Sequence, residues 1–173
     1  MVKYADGPTA TVEVEIEAPH EAVWELVSDI NAPAQFSTEF QGADWIDDVP
    51  AVGATFQGRN QHDVVGEWSV VCTVTEYDAE PRSDGSQVFE WVTGKPEFTA
   101  ARWRLELSPD GAGSRLRFTS TIGPAPSGLT PAIERMPDRE EDIVARRMSE
   151  HAANMLATIE GYKQLAESAA NGG

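Results

Sequence analysis

Residues 52–81 read VGATFQGRNQHDVVGEWSVVCTVTEYDAEP, and the period of two in this stretch decides the fold class. Phe56, Gly58, Asn60 and His62 fall on one face of a strand, and Trp68, Val70, Cys72 and Val74 on one face of the next. The two faces coincide if Val64, Val65 and Gly66 form a three-residue hairpin loop with Gly66 in the left-handed region. A two-residue loop would turn one set outward. The three-residue loop pairs His62 with Trp68, Asn60 with Val70, Gly58 with Cys72 and Phe56 with Val74. The same parity places Phe89 and Trp91 beside Val74 and Cys72, then Leu105 and Trp103, then Phe118 and Ser120.

Upstream, TVEVEIE at 11–17 alternates Val12, Val14 and Ile16 with glutamates, as a strand with one wet face requires. Pro19 then sits where a helix can begin, with Val23, Trp24 and Val27 spaced at three and four, and a second helical turn fits 32–36. Downstream the period stays mostly two as far as Gly123, broken at turn-forming stretches such as PRSDG and PDGAG. The stretch 138–167 has no proline and carries Ile143, Met148, Met155, Ile159 and Tyr162 as a helical stripe. Strand, two short helices, a run of antiparallel strands and one long helix predict an α+β fold whose helix covers one sheet face. One domain is expected over 10–168, with residues 1–9 as a flexible lead and 169–173 as a flexible tail.

The chain has 173 residues, 40% of them hydrophobic, enough for one core without staples. Its 29 acidic and 13 basic side chains give a net charge of −16, which repels nucleic acid and anionic lipid surfaces. The sequence has no signal-peptide pattern and no membrane-length apolar run, so a cytoplasmic protein without stable membrane insertion is expected, as monomer or homodimer. His20, His62, His151 and Cys72 show no paired ligand spacing, so no metal is expected. Phosphate loops, dinucleotide fingerprints and Gly-x-Ser-x-Gly turns are missing too, and no cofactor is expected.

The inward rows differ in character. Phe56, Val74, Phe89, Leu105 and Phe118 make an apolar layer that reads as core. Gly58, Cys72, Trp91, Trp103 and Ser120 mix two indoles with small residues and read as a pocket wall, unless Met148 or Met155 from the helix fills the gap as core. Asn60, His62 and Trp68 would form a half-polar mouth. Glu90, Arg102 and Arg104 point outward as a cross-strand charge set. Cys72, among apolar strand neighbours, reads as inert core. Arg147 and His151 lie one turn apart beside the helical stripe, and either could face the interior; Glu39 lies in the loop 36–40, where it could accept a proton or cap a turn.

PHEAVWEL at 19–26 followed by VSDI, FSTEF at 36–40, and above all the VG-x-x-F-x-G-x-N run from Val52 to Asn60 with Trp68 resemble START-like (SRPBCC) proteins of the actinobacterial polyketide cyclase/dehydrase-like kind. The resemblance covers nearly the whole chain. It implies a helix-grip fold, a curved antiparallel sheet wrapped around the C-terminal helix with a hydrophobic tunnel between them. The expected function is binding a small, largely apolar ligand (lipid, polyketide or aromatic compound) in that tunnel. Phe36, Phe40, Gly58, Asn60, His62, Trp68, Cys72, Trp91, Trp103, Ser120, Met148, His151 and Met155 would line the tunnel. The alternatives are a polyketide cyclase/dehydratase using His62 as general acid or base with Asn60 orienting the carbonyl, and a protein-interaction module. The irregular segments 35–50 and 123–137 would border the mouth, making Phe36, Phe40, Trp45 and Met136 a candidate gate.

Overall fold

The computed structural model describes residues 2–172. The alternating segments become β1 (Thr9–Ile16), β2 (Phe40–Trp45), β3 (Thr55–His62), β4 (Gly66–Tyr77), β5 (Gln87–Lys95), β6 (Phe98–Asp110) and β7 (Gly113–Ile122). They form one antiparallel sheet in the order β1-β7-β6-β5-β4-β3-β2, so the first strand closes against the last. Pro19 precedes α1 (His20–Ser28), which buries Val23, Trp24 and Val27, and a 3-10 turn at Ala32–Gln35 supplies the second short helix. A brief α2 (Thr130–Arg135) leads to α3 (Glu140–Asn171), which the curved sheet grips and which packs mainly along β1. This is the helix-grip arrangement expected.

Two registers differ from those expected, each by two residues. In the β3–β4 hairpin His62 faces Gly66, Asn60 faces Trp68, Gly58 faces Val70 and Phe56 faces Cys72. Asp63, Val64 and Val65 make the connection, and Gly66 opens β4 at φ 84°, the left-handed conformation glycine allows. Between β4 and β5, Val74 faces Trp91 and Cys72 faces Thr93, with an irregularity between Val74 and Glu76. An even shift keeps each side chain on its face, so the inward set survives although its rows do not. The β5–β6–β7 registers are those expected: Trp91, Trp103 and Ser120 align, as do Phe89, Leu105 and Phe118. The indole row therefore contains Val74 in place of Gly58 and Cys72.

Packing is tightest where Phe89, Leu105, Leu107 and Leu116 meet Val23 and Val27 of α1 and Met155, Ile159 and Tyr162 of α3. Each fully buried side chain of this kind contributes about 1.5–3 kcal/mol relative to exposure. Met148 instead joins a second cluster with Tyr4, Ile122 and Val144. The expected flexible lead thus contains an anchored residue: the Tyr4 hydroxyl donates to the Ala125 carbonyl at 2.7 Å, and its backbone N–H to Glu140 at 3.0 Å. At the other end α3 continues through Asn171, past the expected boundary. The outermost lead and tail residues, Met1 and Gly173, lie outside the described residues.

The convex face carries the expected charge set, in closer order than alternation alone implies. Glu90 is paired with both Arg102 and Arg104, and the Thr75 hydroxyl donates to it at 2.8 Å. The long arginine side chains lie over β5, where Val88 and Val92 are buried although they face outward.

Candidate functional site

The concave face carries a continuous run of rings. Trp45 meets Phe56 at 5.3 Å between centroids, Phe56 meets Trp91 at 6.0 Å, Trp91 meets Phe118 at 6.3 Å and Phe118 meets Trp103 at 6.0 Å. The offsets and tilts are those that aromatic quadrupoles favour. Burial falls along the strands. Phe89 and Leu105 are each 1% exposed, whereas Trp91 and Trp103, one inward position along the same strands, are only half-buried. Val70, Asn60 and Trp68 continue this half-buried strip toward the β3–β4 hairpin. The inward face is therefore less tightly covered at Trp91 and Trp103 than at Phe89 and Leu105.

His151 of α3 projects into this region. Its ring lies 4.6 Å from that of Trp103, and its Nδ1 is 3.2 Å from the hydroxyl of Ser120. Burial, reinforced by the nearby Arg147 charge, pushes the imidazole pKa down to about 3, so the ring is neutral at physiological pH. Met155, one turn on, fills the core as the helical stripe predicts. Cys72 is inert by the same logic: burial pushes its thiol up to about 12.

A strap, residues 36–40, spans the opening between α3 and the edge strands, running antiparallel to the helix. Glu39 receives a two-pronged ion pair from Arg147 at 2.7 and 2.5 Å, and Arg147 also reaches Glu150 at 3.1 Å. Burial alone would lower the Arg147 pKa, but these carboxylates raise it above the ordinary guanidinium value. Next, Asn154 accepts from the Thr38 N–H at 2.9 Å and the Thr38 hydroxyl at 3.0 Å. Farther down α3, Phe36 occupies the notch at Gly161, where a Cβ would lie 2.3 Å from the ring. The strap is tied to the sheet as well, since the Gln61 N–H donates to the Glu39 carbonyl at 2.8 Å. Phe40 lies over Gly58, within 3.4 Å of where a Cβ would stand. Of the other gate candidates, Trp45 packs on Phe56 and Met136 is 49% exposed.

His62 stands at the hairpin end of the inward face. Its Nδ1 accepts from the Val64 N–H at 3.1 Å, leaving Nε2 as the protonated nitrogen, 3.5 Å from a Glu150 carboxylate oxygen. The pair borders an outer cleft of about 530 Å³, flanked by Thr38, Glu39 and Asn154. Asn60 is on the same strand face, half-buried opposite Trp68. The structure thus separates two clusters: His151, Ser120 and Trp103 inside, and His62 with Glu150 at the rim. Sequence reasoning missed the partners of the strap. A glycine within a helix costs about 1 kcal/mol against alanine, so Gly161 was the one available signal of a close approach.

A family model described as polyketide cyclase / dehydrase and lipid transport matches residues 8–158. The chain belongs to this family. Among solved structures, a polyketide-cyclase-like protein of Corynebacterium glutamicum superposes with a TM-score of 0.64 at 22% identity, covering 92% of this chain and 91% of that one. A STAR-related lipid transfer protein of Xanthomonas axonopodis gives 0.64 at 15% identity over 96% and 89%. The di-domain ARO/CYC StfQ of the steffimycin biosynthetic pathway gives 0.68 at 13% identity, over 94% of this chain but 52% of that one. At these identities the likeness is one of fold. No curated protein sequence matches the chain. Among the described residues no helix is long and apolar enough to cross a membrane.

Two outcomes follow from this family member's site. Gly161→Ala is expected to destabilise the protein by about 1–3 kcal/mol through overpacking against Phe36, despite better helix propensity. Adding Phe36→Ala should make the Gly161→Ala change neutral or favourable, and additive losses in urea denaturation would show that the notch does not matter. The second outcome concerns acid. The unfolded chain binds a proton at His151 near the ordinary 6.5, the folded chain only near 3, so this residue's contribution is complete above 6.5 and lost as pH falls below it. Stability should decline by roughly 1.4 kcal/mol per pH unit below about pH 6, before most carboxylates titrate. His151→Gln should flatten that window in pH-dependent unfolding; an unchanged slope would mean that the imidazole is not held neutral.

Proposed function

We propose that the protein binds a small, largely apolar guest, a lipid, polyketide or aromatic compound, between the concave face and α3. The observation that carries this is the half-buried state of Trp91 and Trp103 on an inward face, beside a neutral buried His151. Indoles there offer large apolar area, and the imidazole and Ser120 hydroxyl offer polar contacts that fix orientation. Guest entry would require the strap to swing away from α3, because Phe36 and Phe40 stand over the gap. Lids of this kind come from the least stable parts of a fold.

Native mass spectrometry of the purified protein should reveal bound guest mass, or uptake of a hydrophobic dye when none is present. Glu39→Ala removes the two-pronged tie to Arg147 and should speed dye association severalfold, with faster amide exchange confined to the strap. Dye uptake at the parental rate would exclude the strap as the entrance.

A second reading is chemistry of the cyclase or dehydratase type, using His62 as acid or base and Asn60 to orient a carbonyl. The His62–Glu150 pair beside a cleft favours it, with one condition: to take a proton the ring must first release the Val64 N–H from Nδ1, so that Nδ1 is the base while Glu150 faces the Nε2–H of the imidazolium formed. On a polyketide that the protein turns over, His62→Ala and Asn60→Ala should each cut the rate, by about 10²–10⁴ for a lost acid or base. Full turnover by both variants would remove them from the mechanism.

A further inference from the structure

Tyr162 stands on the buried face of α3 with 0% exposure, and its hydroxyl has no hydrogen-bond partner among the described residues. Folded proteins rarely leave such a group unmet, because its desolvation is not repaid. The ring of Phe36 packs edge-on against Tyr162 at 6.1 Å, seated in the Gly161 notch. Phe36 is only partly buried, and the strap behind it is tied to α3 by side-chain contacts. One neighbour of the Tyr162 ring is therefore detachable, while the rest is core.

We infer that Phe36 occupies the inner end of the guest's site in the guest-free chain, and that on its displacement Tyr162 donates its hydroxyl proton to a neutral oxygen of the guest. This inference rests on the binding reading above and narrows it to apolar molecules carrying a ketone, ester carbonyl or alcohol at the end that replaces the Phe36 ring. The neighbouring Thr158 hydroxyl does not compete for that oxygen, because it is already spent on the Asn154 carbonyl at 2.8 Å. Neutrality follows from the surroundings: burial, and then the negative charge of Asp29, hold the phenol protonated, and both would oppose an anionic group there.

The test compares methyl decyl ketone with its methylene isostere, in which a CH₂ group replaces the carbonyl oxygen, by calorimetric titration of the full chain. The parent should prefer the ketone about fivefold, the factor of one net hydrogen bond. Tyr162→Phe should bind both probes equally, with the isostere's affinity unchanged; a surviving preference would overturn the inference. That variant loses only an unpartnered oxygen and should melt at or above the parent's temperature, whereas a lower melt would mean that the hydroxyl has a partner and would also overturn it. Phe36→Ala should bind both probes more tightly because no ring has to leave, and unchanged affinity would refute its place in the site. If the parent takes up a hydrophobic dye but neither probe, this inference fails alone. If it takes up neither dye nor probes, the binding reading fails with it.

Discussion

One helix cannot cover the inner face of a seven-stranded sheet. Strands lie about 4.8 Å apart, so seven of them span roughly 29 Å, whereas a helix with its side chains is about 10–12 Å wide. Curling the sheet around α3 reduces the mismatch without removing it, and the helix sits nearest β1. The deficit therefore falls on the opposite side, under β3 and β4. There the chain uses the segment between the short helices and β2 as a strap, laying Phe36 and Phe40 into the gap. The half-buried indoles and the strap are two results of the same geometric shortfall.

The cover is held differently from the core. Between α1, the sheet and the lower half of α3 the contacts are aliphatic and aromatic, sealed from water. Along the strap they are an ion pair, amide hydrogen bonds and one ring in a notch. Partly exposed polar contacts each add little net stability, about 1 kcal/mol or less, since water competes for the same groups. A segment secured this way can release without unfolding what lies beneath it. The two histidine environments follow the same division: His62 sits at the partly wet rim facing Glu150, His151 in the dry interior against Trp103.

The sequence made the inward face legible because parity is local: alternation in each strand names the face wherever the strand pairs. It could not name the partners. The β3–β4 loop takes Asp63 into the turn and lets Gly66 start the next strand, and the irregularity after Val74 resets the rung against β5. Neither leaves a mark in the hydrophobic pattern, so Gly58 and Cys72 were expected beside the indoles and stand in other rows. The long helix was legible in the absence of proline and in its stripe, and Met155, Ile159 and Tyr162 are buried as that stripe implies. Arg147 with Glu39, Asn154 with Thr38 and Phe36 with Gly161 were not legible, because each joins residues more than a hundred positions apart with no periodicity to connect them. His62 is held at the turn for a local reason: its ring closes on the Val64 N–H, two residues on.

Charge is sorted across the sheet in a way that bears on the guest. The convex face and the rim hold the ion pairs, including Glu90 with two arginines and Arg147 with two glutamates. Inside, each titratable group whose surroundings shift it is driven toward its neutral form: His151 down, Cys72 and Tyr162 up, with burial the leading cause every time. An interior of this kind gives a bound anion no cation to compensate for the water it leaves, and the net charge of −16 repels it on approach. A neutral molecule meets neither penalty. His151 would leave it one nitrogen, Nε2, since Nδ1 is engaged with the Ser120 hydroxyl. Under the proposed binding role, selection for neutral guests would arise from the same burial that makes the core stable, since Arg147, the cation beside His151, is already engaged by Glu39 at the rim.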